Sequence, residues 1–207
     1  EHTTHTFGNR AGWRANPQLT LGVMDSFSLT EYNQNFQNNS QSLSFGVFGD
    51  VILNEYLRGS ASVSFQGSSF DSNGGIGDTS DFTSAVFSTS LLNQLNRWLN
   101  HSLSVSRYTT LGIGSNFTDI YRFNHYVTAE VIQNFDTSLG FFYEMYSDSP
   151  SALAETGDRW GVTPTLGYQL AATTRLTLGY QYSERVSNVA ANAYDQNMIF
   201  MDVTHQF

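Results

Sequence analysis

The chain has no cysteine, no lysine and only three prolines among its 207 residues. Without cysteine there is neither a disulfide framework nor a thiolate metal site. All nine basic residues are arginine, and 18 acidic residues bring the net charge to −9. That balance argues against a nucleic-acid partner, because phosphate binding draws on a basic face. Charge of both signs is scarce as well, at 13% of residues against roughly 25% in ordinary soluble domains. Long apolar runs are also missing. A membrane helix needs about 20 consecutive apolar residues, whereas the runs here are only a few residues long and the mean hydropathy is −0.29. This excludes helical spans but not strands, which cross a bilayer with about 9–11 residues of which every second is apolar.

What the chain has instead is period two. Apolar residues make up 40% of it and aromatics 14%, and they alternate with Ser, Thr, Asn, Gln and Gly over the segments 5–15, 19–31, 42–53, 57–70, 82–95, 99–112, 120–135, 138–149, 159–171, 176–188 and 197–207. Helical spacing fails almost everywhere. Each segment sorts its own faces. Leu57, Ala61, Val63 and Phe65 oppose Arg58, Ser60, Ser62, Ser64 and Gln66; Leu139, Phe141, Tyr143 and Met145 oppose Gly140, Phe142, Glu144 and Tyr146; Leu176, Leu178, Tyr180 and Tyr182 oppose Arg175, Thr177, Gly179, Gln181 and Ser183. The separators alternate between short ones, at 16–18, 54–56, 96–98, 136–137 and 172–174, and longer polar ones centred on 32–41, 71–81, 113–119, 150–158 and 189–196.

An all-β, antiparallel, transmembrane up-and-down β-barrel accounts for this pattern, with short turns on one side of a membrane, long loops on the other, an apolar exterior and a polar lumen. The soluble competitor is a β-sandwich with a serine-rich surface. About eleven strands are visible in one domain over residues 1–207. The last strand must end in the periplasm, so an odd count starts the first one outside, whereas bacterial barrels have an even count. The expectation is therefore a complete barrel of twelve strands or more, of which this chain is the C-terminal part; the alternative is that one strand is split or merged in this count. The opening Glu1-His2-Thr3-Thr4 lacks the basic and apolar regions of a signal peptide, which suits a mature chain or a fragment.

In the closing segment, which runs from Tyr194-Asp195-Gln196-Asn197 to Val203-Thr204-His205-Gln206-Phe207, Ile199, Met201, Val203, His205 and Phe207 alternate with Phe200, Asp202, Thr204 and Gln206. This segment resembles the last strand of Gram-negative outer-membrane β-barrel proteins of the porin-like kind, although His205 stands where that pattern has an apolar or aromatic residue. The resemblance implies a bacterial outer-membrane location, contact with outer-membrane lipids and lipopolysaccharide, and an assembly signal in Phe207, Val203 and Met201 read by the barrel-assembly machinery. Other outer-membrane complex subunits are further partners in keeping with it.

The inward faces carry the chemistry. Arg10, Arg14, Arg58, Arg122, Arg175 and Arg185 share the lumen with Asp50, Glu130, Glu144, Asp148 and Asp202. Facing arginines and carboxylates set the selectivity of a pore, and a salt-bridged plug is the other use of the same residues. The reading is thus a non-enzymatic pore or export conduit with no cofactor. The first alternative is a plugged barrel acting as an anchor or complex subunit, and the second an outer-membrane hydrolase built around His101 or His125, near Ser102 and Asn124. The loop Asp71-Ser72-Asn73-Gly74-Gly75-Ile76-Gly77-Asp78 has oxygen ligands suited to calcium, but it is one residue short of the glycine-rich repeat and occurs once, so no metal is assigned. Trp13, Trp98, Trp160, Tyr56, Phe135 and Tyr168 fit interface girdles; Phe48, Tyr108, Tyr126, Phe142 and Tyr146 would serve a sugar-stacking track. Asp25 points at lipid unless a bulge re-aims it or a partner covers it. Arg107, also outward, is expected at the outer rim, within reach of lipopolysaccharide phosphates.

Overall fold

The computed structural model describes every residue except Asn35, Ala152 and Phe207. Eleven strands follow one another: β1 (His2–Asn16), β2 (Leu19–Tyr32), β3 (Ser40–Asn54), β4 (Leu57–Phe70), β5 (Phe82–Asn96), β6 (Leu99–Leu111), β7 (Phe117–Ile132), β8 (Phe135–Asp148), β9 (Thr156–Ala171), β10 (Thr174–Ser187) and β11 (Tyr194–His205). Each pairs antiparallel with the next, in one sheet ordered β1 to β11. The alternation of faces and of short and long connections thus appears as the sequence pattern predicts.

One expectation is corrected. The turn between β7 and β8 is not at Asp136-Thr137 but at residues 133–134, because Asn134 takes a positive φ of 67°, a conformation that asparagine tolerates better than most residues. Asp136 therefore lies within β8, opposite Glu130 and Gly167. The cylinder is not closed among these strands, since β1 pairs only with β2 and β11 only with β10. In an all-antiparallel order of eleven, β1 and β11 run the same way, from the loop side to the turn side, and direct closure would need a parallel seam.

The short turns share a local cause. In Asn16-Pro17-Gln18-Leu19, Asn54-Glu55-Tyr56-Leu57 and Asn96-Arg97-Trp98-Leu99, the asparagine Oδ1 accepts the backbone N–H of the residue two positions on, at 2.8 Å each time. This side-chain mimic of a turn fixes the reversal. Each is preceded by a one-residue register shift, between Arg14 and Asn16, Ile52 and Asn54, and Gln94 and Asn96, and such bulges add twist to a sheet that must curve.

The faces are dressed the opposite way round from those of a soluble protein. Phe48 and Phe82 are the only buried hydrophobic side chains among the described residues, while Thr30, Ser64, Ser68, Ser138, Ser183 and Glu144 are buried polar ones. On the convex face Leu43, Phe45 and Phe65 are each more than 60% exposed, an apolar band that acyl chains would cover. Inside, hydroxyls bond across strands, Ser26 to Ser44 at 2.8 Å, Ser42 to Ser68 at 2.7 Å and Ser60 to Ser90 at 2.8 Å. Cross-strand pairs of this kind contribute about 0.2–1 kcal/mol each.

Candidate functional site: the concave wall

The register brings aromatic residues opposite glycines on the inward face. Phe48 pairs with Gly22, Tyr126 with Gly140, Phe142 with Gly161, Tyr146 with Gly157, and Phe200 with Gly179. A Cβ on Gly22 would lie 2.4 Å from the Phe48 ring, one on Gly161 2.6 Å from Phe142, and one on Gly179 2.1 Å from Phe200. The missing side chain is thus the space into which the ring folds, so these aromatics lie flat along the wall rather than across the lumen.

Arginines rest on three of these rings. The Arg10 guanidinium sits 3.6 Å from the centre of Phe48, Arg122 and Arg159 sit 5.3 and 5.5 Å from Phe142, and Arg185 sits 4.7 Å from Tyr146. Each also meets a carboxylate: Arg10 with Asp50 at 2.9 Å, Arg122 and Arg159 with Glu144 at 2.9 and 2.5 Å, and Arg185 with Glu155 at 2.8 Å. Stacking and ion pairing together hold the cations against the wall. Glu144 is 3% exposed; Arg159 hydrogen-bonds its Oε2, while Oε1 has only the ion-pair approach of Arg122 and no hydrogen bond. Two arginines on one carboxylate leave a net positive charge at this level.

The remaining predicted lumen residues are distributed as follows. Arg175 pairs with Asp136 at 2.7 Å and lines, with Glu130, Arg97 and Gln169, a depression of about 500 Å³ at the turn end. Arg58 and Arg14 line a second depression of about 310 Å³ with Asp50, and neither makes an ion pair among the described residues. Asp148 accepts from Thr118 at 2.6 Å, and Asp202 from Thr204 at 2.9 Å. Sequence reasoning missed Arg159, Asp136 and Glu155, all three near strand ends. Locating the turn at Asn134 would have assigned Asp136 to the inward parity of Glu144. Met201 and Val203 face outward opposite Leu178 and Leu176 on the exposed edge strand; Phe207 lies outside the described residues.

Away from the lumen, no bulge re-aims Asp25. It stays on the outward face and accepts from Asn9 Nδ2 at 3.1 Å. The rings of His101 and His125 meet edge to face at 5.8 Å, and among the described residues neither hydrogen-bonds a serine or a carboxylate. In the loop 71–78, with its calcium-like set of oxygens, the two carboxylates serve separate sets of donors. Asp71 accepts from Asn39 and Asn73. Asp78, 1% exposed, accepts the Asn116 and Ser80 backbone N–H groups and the Ser149 hydroxyl. Burial pushes the Asp78 carboxyl up, but these hydrogen bonds outweigh burial and hold it below its ordinary value. Glu155, just before β9, behaves alike: burial raises it, and bonds from Ser187, Tyr146 and Asn192 with the Arg185 charge lower it further.

Scanning the chain against family models gives no match, and nor does a search of curated proteins. Solved structures do match. The chain superposes over its whole length on the FrpB iron transporter from Neisseria meningitidis (TM-score 0.64, 11% identity) and on OmpT, an outer membrane protein of Vibrio cholerae (0.52, 11%). It does the same on the NanC porin (0.50, 14%). It spans 40% of the FrpB chain, 95% of the OmpT chain and 94% of the NanC chain. These neighbours are bacterial outer-membrane proteins, and the fold with its inverted faces is that of the outer-membrane β-barrel. At such identities the likeness extends to the fold.

Proposed function

We propose that the chain forms the wall of a non-enzymatic outer-membrane pore or export conduit whose selectivity is set by wall-bound arginine and carboxylate groups. The observation that carries this reading is the flat packing of Phe48, Phe142, Tyr146 and Phe200 on glycines. Rings folded onto the wall leave the centre to water, whereas a plugged barrel would send them across it. The porin and iron-transporter descriptions of two neighbours accord with a transport role. On this reading the outward wall meets outer-membrane lipids and lipopolysaccharide, and Met201 and Val203 of β11, together with Phe207, are what the barrel-assembly machinery engages. An odd number of further strands, running from the turn side to the loop side, would complete an antiparallel cylinder between β1 and β11.

In planar bilayers the folded, complete protein is expected to conduct, and Arg58→Glu or Arg122→Glu to move the reversal potential in a salt gradient toward cations. Folded protein that leaves membranes silent would defeat the pore reading. The anchor reading has one observation in its favour, the Asn9–Asp25 pair on the outward face, with Asp25 midway along the 14-residue β2. A carboxylate at that height is costly against acyl chains and less so against another protein.

A further inference from the structure

The ladder between β5 and β6 stops short. It runs from Asn96↔Leu99 to Phe87↔Arg107 and ends there, although β5 continues to be paired with β4 as far as Phe82↔Ser68, and β6 with β7 as far as Leu111↔Phe117. Over the loop-side third of the wall the sheet is therefore divided. The contacts across the division join opposite faces. Gln66, inward on β4, donates from Nε2 to Thr109 Oγ1, on the outward parity of β6, at 2.9 Å. Arg107, also of outward parity, donates from Nη1 to Ser84 Oγ, inward on β5, at 2.7 Å. Phe117 of β7, outward by parity, packs against the inward Phe70 and Phe82, with ring centres 6.1 and 5.1 Å apart. Outward side chains of β6 and β7 can meet inward side chains of β4 and β5 only if the β6–β7 end lies on the lumen side of β5. The wall is lapped at this seam.

We propose that this lap is one of two states of the outer mouth. In the other, residues 82–86 continue the ladder onto 108–112 in the register already set by Phe87↔Arg107, which brings Val86 opposite Tyr108, Ala85 opposite Thr109, and Ser84 opposite Thr110. Ser84 and Thr110 would then form an inward hydroxyl pair like Ser60 and Ser90, so the sequence suits the zipped state as well as the lapped one. Zipping widens the rim by about one inter-strand spacing, ~4.8 Å.

Arg107 is the staple of the lapped state. Its Nε and Nη2 bond the Asp119 carboxylate at 2.8–3.2 Å, and its Nη1 also takes the Ala85 carbonyl at 3.0 Å, a backbone acceptor on the open edge. Unmet backbone groups are costly in a membrane, and this bond meets one of them. A loop latch adds to the staple: Asn116, at the tip of the β6–β7 hairpin, donates to the carbonyls of Asp78 and Ser80, and Asn38 bonds both Asp78 and Asn116. Two discrete packings separated by a small set of polar contacts make a bistable element.

The chain lacks cysteine, so cross-links can report the two states directly. Ala85→Cys with Thr109→Cys places thiols on directly opposed residues in the zipped wall, at ~4.5–5.5 Å between Cβ atoms, within disulfide reach. Gln66→Cys with Thr109→Cys, joined by a short bifunctional thiol reagent, reports the lap. In the complete protein folded in lipid, Arg107→Gln is expected to raise the 85–109 disulfide yield severalfold and lower the 66–109 yield. Asp119→Asn, which spares the arginine, serves if Arg107→Gln fails to fold. Efficient 66–109 linkage with no 85–109 disulfide in either variant would mean a fixed lap and overturn the proposal. The proposal rests on the pore reading only for its consequence, a larger conductance when the 85–109 disulfide is closed. Cross-link yields are read without conduction, so a switching seam in silent membranes would sink the pore and spare the switch, while a conducting pore with no switching would do the reverse.

Discussion

At the scale of single residues, the glycine opposite each inward ring matters as much as the ring. Gly179 illustrates it: the three atoms nearest to a methyl group there all belong to the Phe200 ring, the closest at 2.1 Å, so the ring must leave the wall. Overpacking of this kind typically costs about 1–3 kcal/mol. Gly179→Ala is expected to swing Phe200 toward the lumen and reduce single-channel conductance, and Phe200→Ala in the same chain to restore it. An unchanged conductance in the single variant would show that the rings do not bound the open path. These pairs are only half visible in the sequence. Tyr126 and Gly140 are each readable as inward by parity, but their opposition depends on where the β7–β8 turn falls, and the sequence pattern puts that turn at Asp136-Thr137 rather than beside Asn134.

At the scale of elements, the long loops form a connected cap around the buried Asp78 carboxylate. Among the described residues no cation pairs with that group; its partners are the Asn116 and Ser80 amides and the Ser149 hydroxyl. Because the carboxyl is held below its ordinary value in the folded chain, its contribution is fully present above the unfolded value of about 3.9 and is lost as the pH falls through the depressed folded value. The cap is therefore expected to loosen only in acid, read as pepsin cleavage within 71–81 and 112–116 that rises as the pH drops below about 4. Asp78→Asn should cleave readily at all acid pH values without that step, while the loop at 188–193, tied to Glu155 through Asn192 at 2.7 Å, keeps its own step of the same sign. Retention of the full step in Asp78→Asn would assign the titration elsewhere. The sequence marked this stretch as a polar loop with ligand-like oxygens. That these oxygens would also be taken up by the amides of Asn39 and Asn116 and the Ser149 hydroxyl was not legible, because those partners lie 32, 38 and 71 residues away.

At the scale of the whole molecule, strand parity is the controlling fact. Eleven antiparallel strands leave edges that point the same way, and exposed edges are not tolerated in acyl chains. The proposed completion by an odd number of strands predicts that the natural protein, extracted from membranes, has an intact mass exceeding that of residues 1–207. A mass matching these residues alone would remove the proposal and require a parallel β1–β11 seam. Membership of the barrel class was readable from composition and period alone, since scarce charge, neutral polar residues and alternating apolar ones leave few other ways to satisfy every backbone group.

Which segments are extended, which face each side chain takes and on which side of the sheet the long loops lie are all legible in the order of residues, because a two-residue period is a local property of extended backbone and needs no partner strand to be read. Which charges meet, as with Arg122 and Arg159 on Glu144, which rings cover which glycines, and where the wall divides between β5 and β6 emerge from the folded sheet alone. Those outcomes depend on register and on the curvature of the assembled sheet, and a one-residue shift at a single turn changes every cross-strand neighbour that follows from it.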